Sequence, residues 1–176
     1  FAVSANGLVV VGSSRGSGGL EAFRWTASDG MVGLGFLPST STLSLASDVS
    51  QGGSVVVGVS WIAAGRNRAF RWASGTMENM GCLPGDSAYS QAYGVSADGQ
   101  RIVGASAGSR VQAFLWIAGN WTALGYLTGY NTSYAVDISD RGQVVVGHSA
   151  ISDITPIRYQ AFRWTSVGGM SPLGYL

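Results

Sequence analysis

Apolar and polar positions change places along this chain in short runs, and the runs return in a fixed order. The stretch Val3–Gly12 opens with a Val-Ser-x-x-Gly turn and continues as a β-branched run; it returns as Val49–Gly58, Val95–Gly104 and Ile138–Gly147 without a gap. A block of Ala-Phe-Arg-Trp type follows each time, at 22–25, 69–72, 113–116 and 161–164. A block of Leu-Gly-aromatic-Leu type closes each period, at 34–37, 80–83, 124–127 and 173–176. A unit of about 45 residues is therefore written four times. Residues 1–176 read as a single repeat domain with units at approximately 1–45, 46–91, 92–134 and 135–176.

Each unit predicts four short strands, a to d. Strand a ends at the Val-Ser pair, and Ser4-Ala5-Asn6-Gly7 or Ser96-Ala97-Asp98-Gly99 places an acceptor and a glycine where a tight turn needs them. Strand b, as in Leu8–Gly12, is apolar throughout, the mark of a strand covered on both faces. Strand c alternates, with Phe23 and Trp25 on one side and Ala22 and Arg24 on the other. Strand d ends ahead of Pro38 and Pro84, which fit an exit but not a ladder. Four antiparallel strands per unit, repeated four times, predict an all-β, β-propeller-like array of four blades, either closed or part of a larger ring. The 3.6-residue period of helical repeats is absent, and a parallel β-helix needs shorter coils.

The Ala-Phe-Arg-Trp, Gly-x-Met-x-x-Leu-Gly-x-Leu and Val-Ser-x-x-Gly-x-x-Val-Val-Gly blocks resemble the HAF repeats of bacterial secreted and autotransporter-like surface proteins, over essentially the whole chain. The resemblance implies export and an extracellular or cell-surface setting, and it implies no reaction. Where that family places a His before Ala-Phe, this chain has Glu21, Arg68, Gln112 and Gln160, so no His-based role carries over. The first unit begins inside its own pattern, with no counterpart of Ala46, Ala92 and Ala135, which predicts an excised or processed piece.

Composition narrows the function further. The chain has 176 residues, 46% hydrophobic and only 11% charged, with a formal charge of +1. That balance gives no general attraction to nucleic acid, and no apolar run reaches the roughly 18 residues of a membrane span. The lone Cys82, at the place of Phe36, Tyr126 and Tyr175, predicts a buried small side chain. His148 is the sole histidine, and no Ser or Asp is spaced to act with it. With one His and one Cys there is no zinc set, and the turn carboxylates Asp29, Glu78, Asp98 and Asp140 sit in different units, so neither metal nor other cofactor is expected.

One asymmetry carries a functional expectation. If strands run alternately, the b–c loops and the d-to-a crossings share one rim, and every b–c loop holds arginine: Arg15, Arg66 with Arg68, Arg110, and Arg158. Trp61 and Tyr159 accompany them, with Tyr89, Tyr130 and Tyr134 placed in the crossings. Arginine suits anionic groups and flat aromatics suit sugar faces, so the rim is the candidate site for an acidic polysaccharide or a surface protein. The arginines Arg24, Arg71 and Arg163 of strand c read instead as snorkelling or loop-tethering side chains, because Leu115 in their place in the third unit shows that an apolar stem is accepted there. The expected role is a non-catalytic binding or assembly module. A lectin with one sugar pocket per unit, a filament subunit built by head-to-tail stacking, and a propeller hydrolase or lyase are the alternatives.

Overall fold

The computed structural model describes residues 1–175. It has four sheets, each of four antiparallel strands paired in chain order. They are β1 (Ala2–Val3), β2 (Val9–Gly16), β3 (Gly19–Thr26) and β4 (Gly30–Gly33); β5 (Ser44–Val49), β6 (Val55–Ala63), β7 (Arg66–Ala73) and β8 (Thr76–Gly81); β9 (Tyr89–Val95), β10 (Arg101–Ala107), β11 (Val111–Ile117) and β12 (Asn120–Gly125); and β13 (Thr132–Ile138), β14 (Val145–Ile151), β15 (Arg158–Thr165) and β16 (Gly169–Pro172). The a strands β1, β5, β9 and β13 neighbour one another about a common axis. This is the β-propeller-like architecture that the repeat predicts. The breaks between units fall in the crossings 34–43, 82–88 and 126–131, a few residues from the sequence divisions. Ser44, Ser90 and Ser133 belong to strand a, so dividing the units at Ala46, Ala92 or Ala135 cuts through it.

The core lies between sheets. Val9, Val11, Ala22, Leu34 and Leu37 of the first unit close on Ala46, Val49, Val56 and Phe70 of the second. The second unit meets the third through Val55, Val57, Ala69 and Leu83 against Ala92, Val95, Ile102 and Phe114. The third meets the fourth through Val103, Ala113, Leu115, Leu124 and Leu127 against Ala135, Ile138, Val145 and Phe162. In each junction the Ala of strand c leaves room and the Phe of the following unit fills it.

Polar clamps fix the same junctions. The Oγ of Ser44 accepts from Ala22 N–H and donates to Gly35 C=O; Ser90 does this for Ala69 and Gly81, and Ser133 for Ala113 and Gly125. A second set lies on strand b: the Oγ atoms of Ser60, Ser106 and Ser149 accept from the N–H groups of Leu37, Leu83 and Leu127. Each serine therefore meets backbone groups of the preceding unit that water does not reach. The a–b turn adds a steric contact. Gly99, at φ +71°, lies so close to Val55 of the preceding unit that a Cβ would stand 2.6 Å from its Cγ2.

The array stops at two open faces. Between the fourth unit and the first there is no buried apolar cluster among the described residues. On the side of unit 4 that would face a successor, Val146 is 39% and Leu173 62% exposed, where Val57 and Val103 are fully buried. On the opposite side of unit 1, Met31 is 57% exposed and Val10 half-buried, where Val56 and Ile102 are fully buried. Strand b is thus covered on both faces only in the units that have two neighbours.

Candidate functional site

The rim of loops is built as the strand directions require. Crossings hydrogen-bond onto the neighbouring b–c strands: Trp61 N–H to Leu43 C=O at 2.9 Å, Ala88 N–H to Ala107 C=O at 3.0 Å, and Asn131 N–H to Ala150 C=O at 3.1 Å. Of the residues expected in the b–c loops only Arg110 lies in one; Arg15 stands in β2, Trp61 in β6, Arg66 and Arg68 in β7, and Arg158 and Tyr159 in β15, because the hairpin ladders run on almost to their tips. Arg15, Arg66, Arg110, Arg158 and Tyr159 are exposed on this rim, and Trp61 is half-buried. The topology distributes them around the four units, and among the described residues no side-chain hydrogen bond joins any two of them.

Arg68 stands apart from the other rim arginines. It lies two residues further along β7 than Arg66, away from the hairpin tip and against the next crossing, and its guanidinium donates to the carbonyls of Asn67, Ser87 and Ala88, between 2.8 and 3.2 Å. It ties the crossing between the second and third units and is nine-tenths buried. Beside it, Asn67 faces Trp61 across the β6–β7 pair and buries its Oδ1 with no donor among the described residues. A buried acceptor left unmet is uncommon and costs free energy.

Arg24, Arg71 and Arg101 behave differently from the rim. Arg24 donates through Nε to Gly53 C=O of the next unit at 3.0 Å and lies 3.9 Å from Asp29. Arg71 pairs with Glu78 at 3.6 Å and Arg101 with Asp98 at 3.1 Å. The tether expected of Arg24 is present, and these three ion pairs, the only ones among the described residues, leave every rim arginine without a carboxylate partner.

The structure adds an aromatic row that the sequence reading assigned elsewhere. Tyr89 and Tyr134 lie within β9 and β13, not in the crossings where they were expected; Tyr130 does lie in a crossing. Tyr134 stacks on His148 at 5.0 Å between ring centres, and Tyr159 meets His148 edge-on at 5.5 Å. Burial lowers the His148 pKa, since the site between its tyrosines disfavours the charged imidazolium. Burial likewise pushes the Tyr93 hydroxyl up to about 12, while that hydroxyl donates to Gln91 Oε1 at 2.6 Å. No repeat signal announces this row, because Leu45 and Gln91 hold the place of Tyr134 in the other units.

At the other end of the axis, a depression of about 310 Å³ is lined by the ends of the a strands and the a–b turns that follow them, among them Val3, Asp48, Val95, Asp137 and Asp140. Its carboxylates serve the backbone. Asp48 accepts from Val49 N–H and from Val95 N–H of the next unit, both at 2.8 Å, and Asp137 accepts from Ile138 N–H at 2.7 Å. Burial raises the Asp48 pKa; the two backbone bonds oppose that shift and the Asp137 charge adds to it. Among the described residues no three His, Cys, Asp or Glu side chains are grouped to hold a metal ion. Cys82 is half-buried rather than fully enclosed, since the crossing around it lies at the rim.

No protein-family model and no curated protein matches the chain in sequence. Solved structures match it in fold. A putative TolB from Agrobacterium tumefaciens is similar over 99% of this chain and 61% of its own, at 16% identity and a TM-score of 0.66. TolB from Acinetobacter baumannii is similar over 96% of this chain and 41% of its own, at 14% identity and a TM-score of 0.65. The tricorn protease covers 99% of this chain with 17% of its own, at 12% identity and a TM-score of 0.57. The chain thus spans less than two thirds of each, and at these identities the likeness shows the propeller fold alone.

Proposed function

We propose that this chain is a non-catalytic binding or assembly module of the bacterial cell surface or extracellular space, whose loop rim takes an acidic glycan or a protein surface. The observation that carries the reading is the gathering of four arginines, Arg15, Arg66, Arg110 and Arg158, exposed on one rim without carboxylate partners among the described residues, while the three ion-paired arginines lie elsewhere. Unpaired guanidinium groups are ready to take carboxylate or sulfate in two-pronged hydrogen bonds. Tyr159 and the half-buried Trp61 supply aromatic surface on the same rim. Arg68 acts here as the support of the loop and not as a contact. The HAF-like repeats support the exported setting.

The test is retention on an immobilised polyuronate at low ionic strength. Changing Arg15, Arg66, Arg110 and Arg158 together to Ser weakens retention at least about tenfold and flattens its salt dependence, while Arg141→Ser on the turn side leaves it unchanged. Equal retention of the quadruple variant, correctly folded, overturns the acidic-glycan reading. An interaction with envelope proteins that survives the same changes overturns the rim as a site altogether.

A further inference from the structure

Three junctions in this molecule are made the same way, and unit 4 presents the first half of a fourth. Its Ala161 occupies the place of Ala22, Ala69 and Ala113, which are fully buried under the next unit, yet Ala161 is exposed. The backbone N–H of those three alanines each meets a serine hydroxyl at 2.9 Å, and among the described residues no hydroxyl meets Ala161. Gly174 C=O stands where Gly35, Gly81 and Gly125 accept from the same serines. Asp137 repeats Asp48: it holds its own unit's Ile138 N–H, but the second oxygen, which in Asp48 takes Val95 of the following unit, has no such partner among the described residues. Val146 and Leu173 complete an apolar field around these polar groups.

We infer that this face of unit 4 is the seat of a further unit of the same repeat, added to the ring as units 2, 3 and 4 are added to one another. The required partner chemistry is specific. It carries a strand of the pattern Ser-x-Ala ahead of a Val-Ser-x-x-Gly turn: the serine bridges Ala161 N–H and Gly174 C=O, the valine N–H meets Asp137, and the turn glycine lies on Val144, which repeats Val55. The inference stands independently of the loop rim, because none of the rim arginines takes part.

A chain extended after Leu176 by a second copy of residues 128–176 tests it, since Leu176 repeats Leu127 and the register continues. The expected result is that the added unit folds, with strand content rising in proportion to length, and that the Ala161 amide exchanges at least about a hundredfold more slowly than in the unextended chain. Ser133→Ala in the added copy alone returns about tenfold of that protection. An added segment that stays disordered, with Ala161 exchange unchanged on a folded four-unit body, overturns the inference. Concentration-dependent protection of Ala161 in the unextended chain overturns it also, and makes a second copy the occupant.

Discussion

Ser106→Ala and Ser14→Ala are the same chemical change at the same place in two units, and the structure assigns them different costs. Ser106 is fully buried; its Oγ accepts from Leu83 N–H at 3.0 Å and donates to Asp86 Oδ2 at 2.7 Å. Ser14 is exposed, on the side of unit 1 that no other unit covers. Alanine at 106 leaves the Leu83 N–H unmet inside a junction, which costs about 1–3 kcal/mol, and the Asp86 carboxylate loses a donor that solvent replaces in part. Alanine at 14 changes stability by no more than about 0.5 kcal/mol. For a chain of this length each kcal/mol moves the thermal midpoint by about 2–4 °C, so Ser106→Ala lowers it by roughly 2–12 °C and Ser14→Ala barely moves it. Because repeat arrays open unit by unit, amide exchange at Leu83 is the sharper readout. A loss of 2 kcal/mol accelerates it about thirtyfold. Indistinguishable effects of the two variants on midpoint and on Leu83 exchange refute the clamp as the source of junction stability.

Gly99→Ala destabilises by at least about 1 kcal/mol more than Gly7→Ala in urea unfolding, since both residues have φ +71° but only Gly99 lies against a neighbouring unit; equal losses refute the steric contact. Arg68→Ala costs about 1–3 kcal/mol of stability by releasing three carbonyls, whereas Arg66→Ala is nearly neutral; a reversed order in the same unfolding assay contradicts the inward placement of Arg68. Burial holds the Asp48 carboxyl above 3.8, so the folded chain keeps that proton more tightly than the unfolded chain and loses stability as pH rises from 3.8 through the raised value. Asp98, lowered first by its Ser96 hydrogen bond, acts with the opposite sign: its contribution is present above 3.8 and is lost as pH falls through its lowered value. Carboxyl-carbon NMR titration reads both midpoints, and a midpoint for Asp48 below that of Asp98 refutes the assignment.

The fold was legible because the repeat states it four times over. A β-branched run such as Val55–Gly58 needs cover on both faces, and the Phe of each Ala-Phe block needs a neighbour to enter, so stacked sheets follow from local pattern alone. The rim was legible to the same extent, since strand alternation puts Arg15, Arg66, Arg110 and Arg158 on one side whatever the fine geometry. Individual fates within it were not. Arg66 and Arg68 look alike in sequence, and what separates them is a difference of two residues beside a bulge near Trp61. Tyr134 and His148 meet only through the β13–β14 register, where a shift between Ala135 and Asp137 sets which side chains oppose. The serine clamps were visible as recurring letters, but a serine in a strand carries no sign of its acceptor in another sheet. Nor does an interior pattern show that its outermost faces lack cover, because unit 4 is spelled as if it had a neighbour on each side.

The serine clamps join adjacent units only, and they are made by the recurring serines and the recurring Leu-Gly-x-Leu block, not by the residues that differ among the loops. Grip and display are therefore encoded in separate parts of each period. Duplication or deletion of one period of coding DNA would lengthen or shorten such an array while leaving every surviving joint intact, and drift in the loops would diversify its surface without loosening the chassis. A protein organised in this way evolves by counting as well as by substitution.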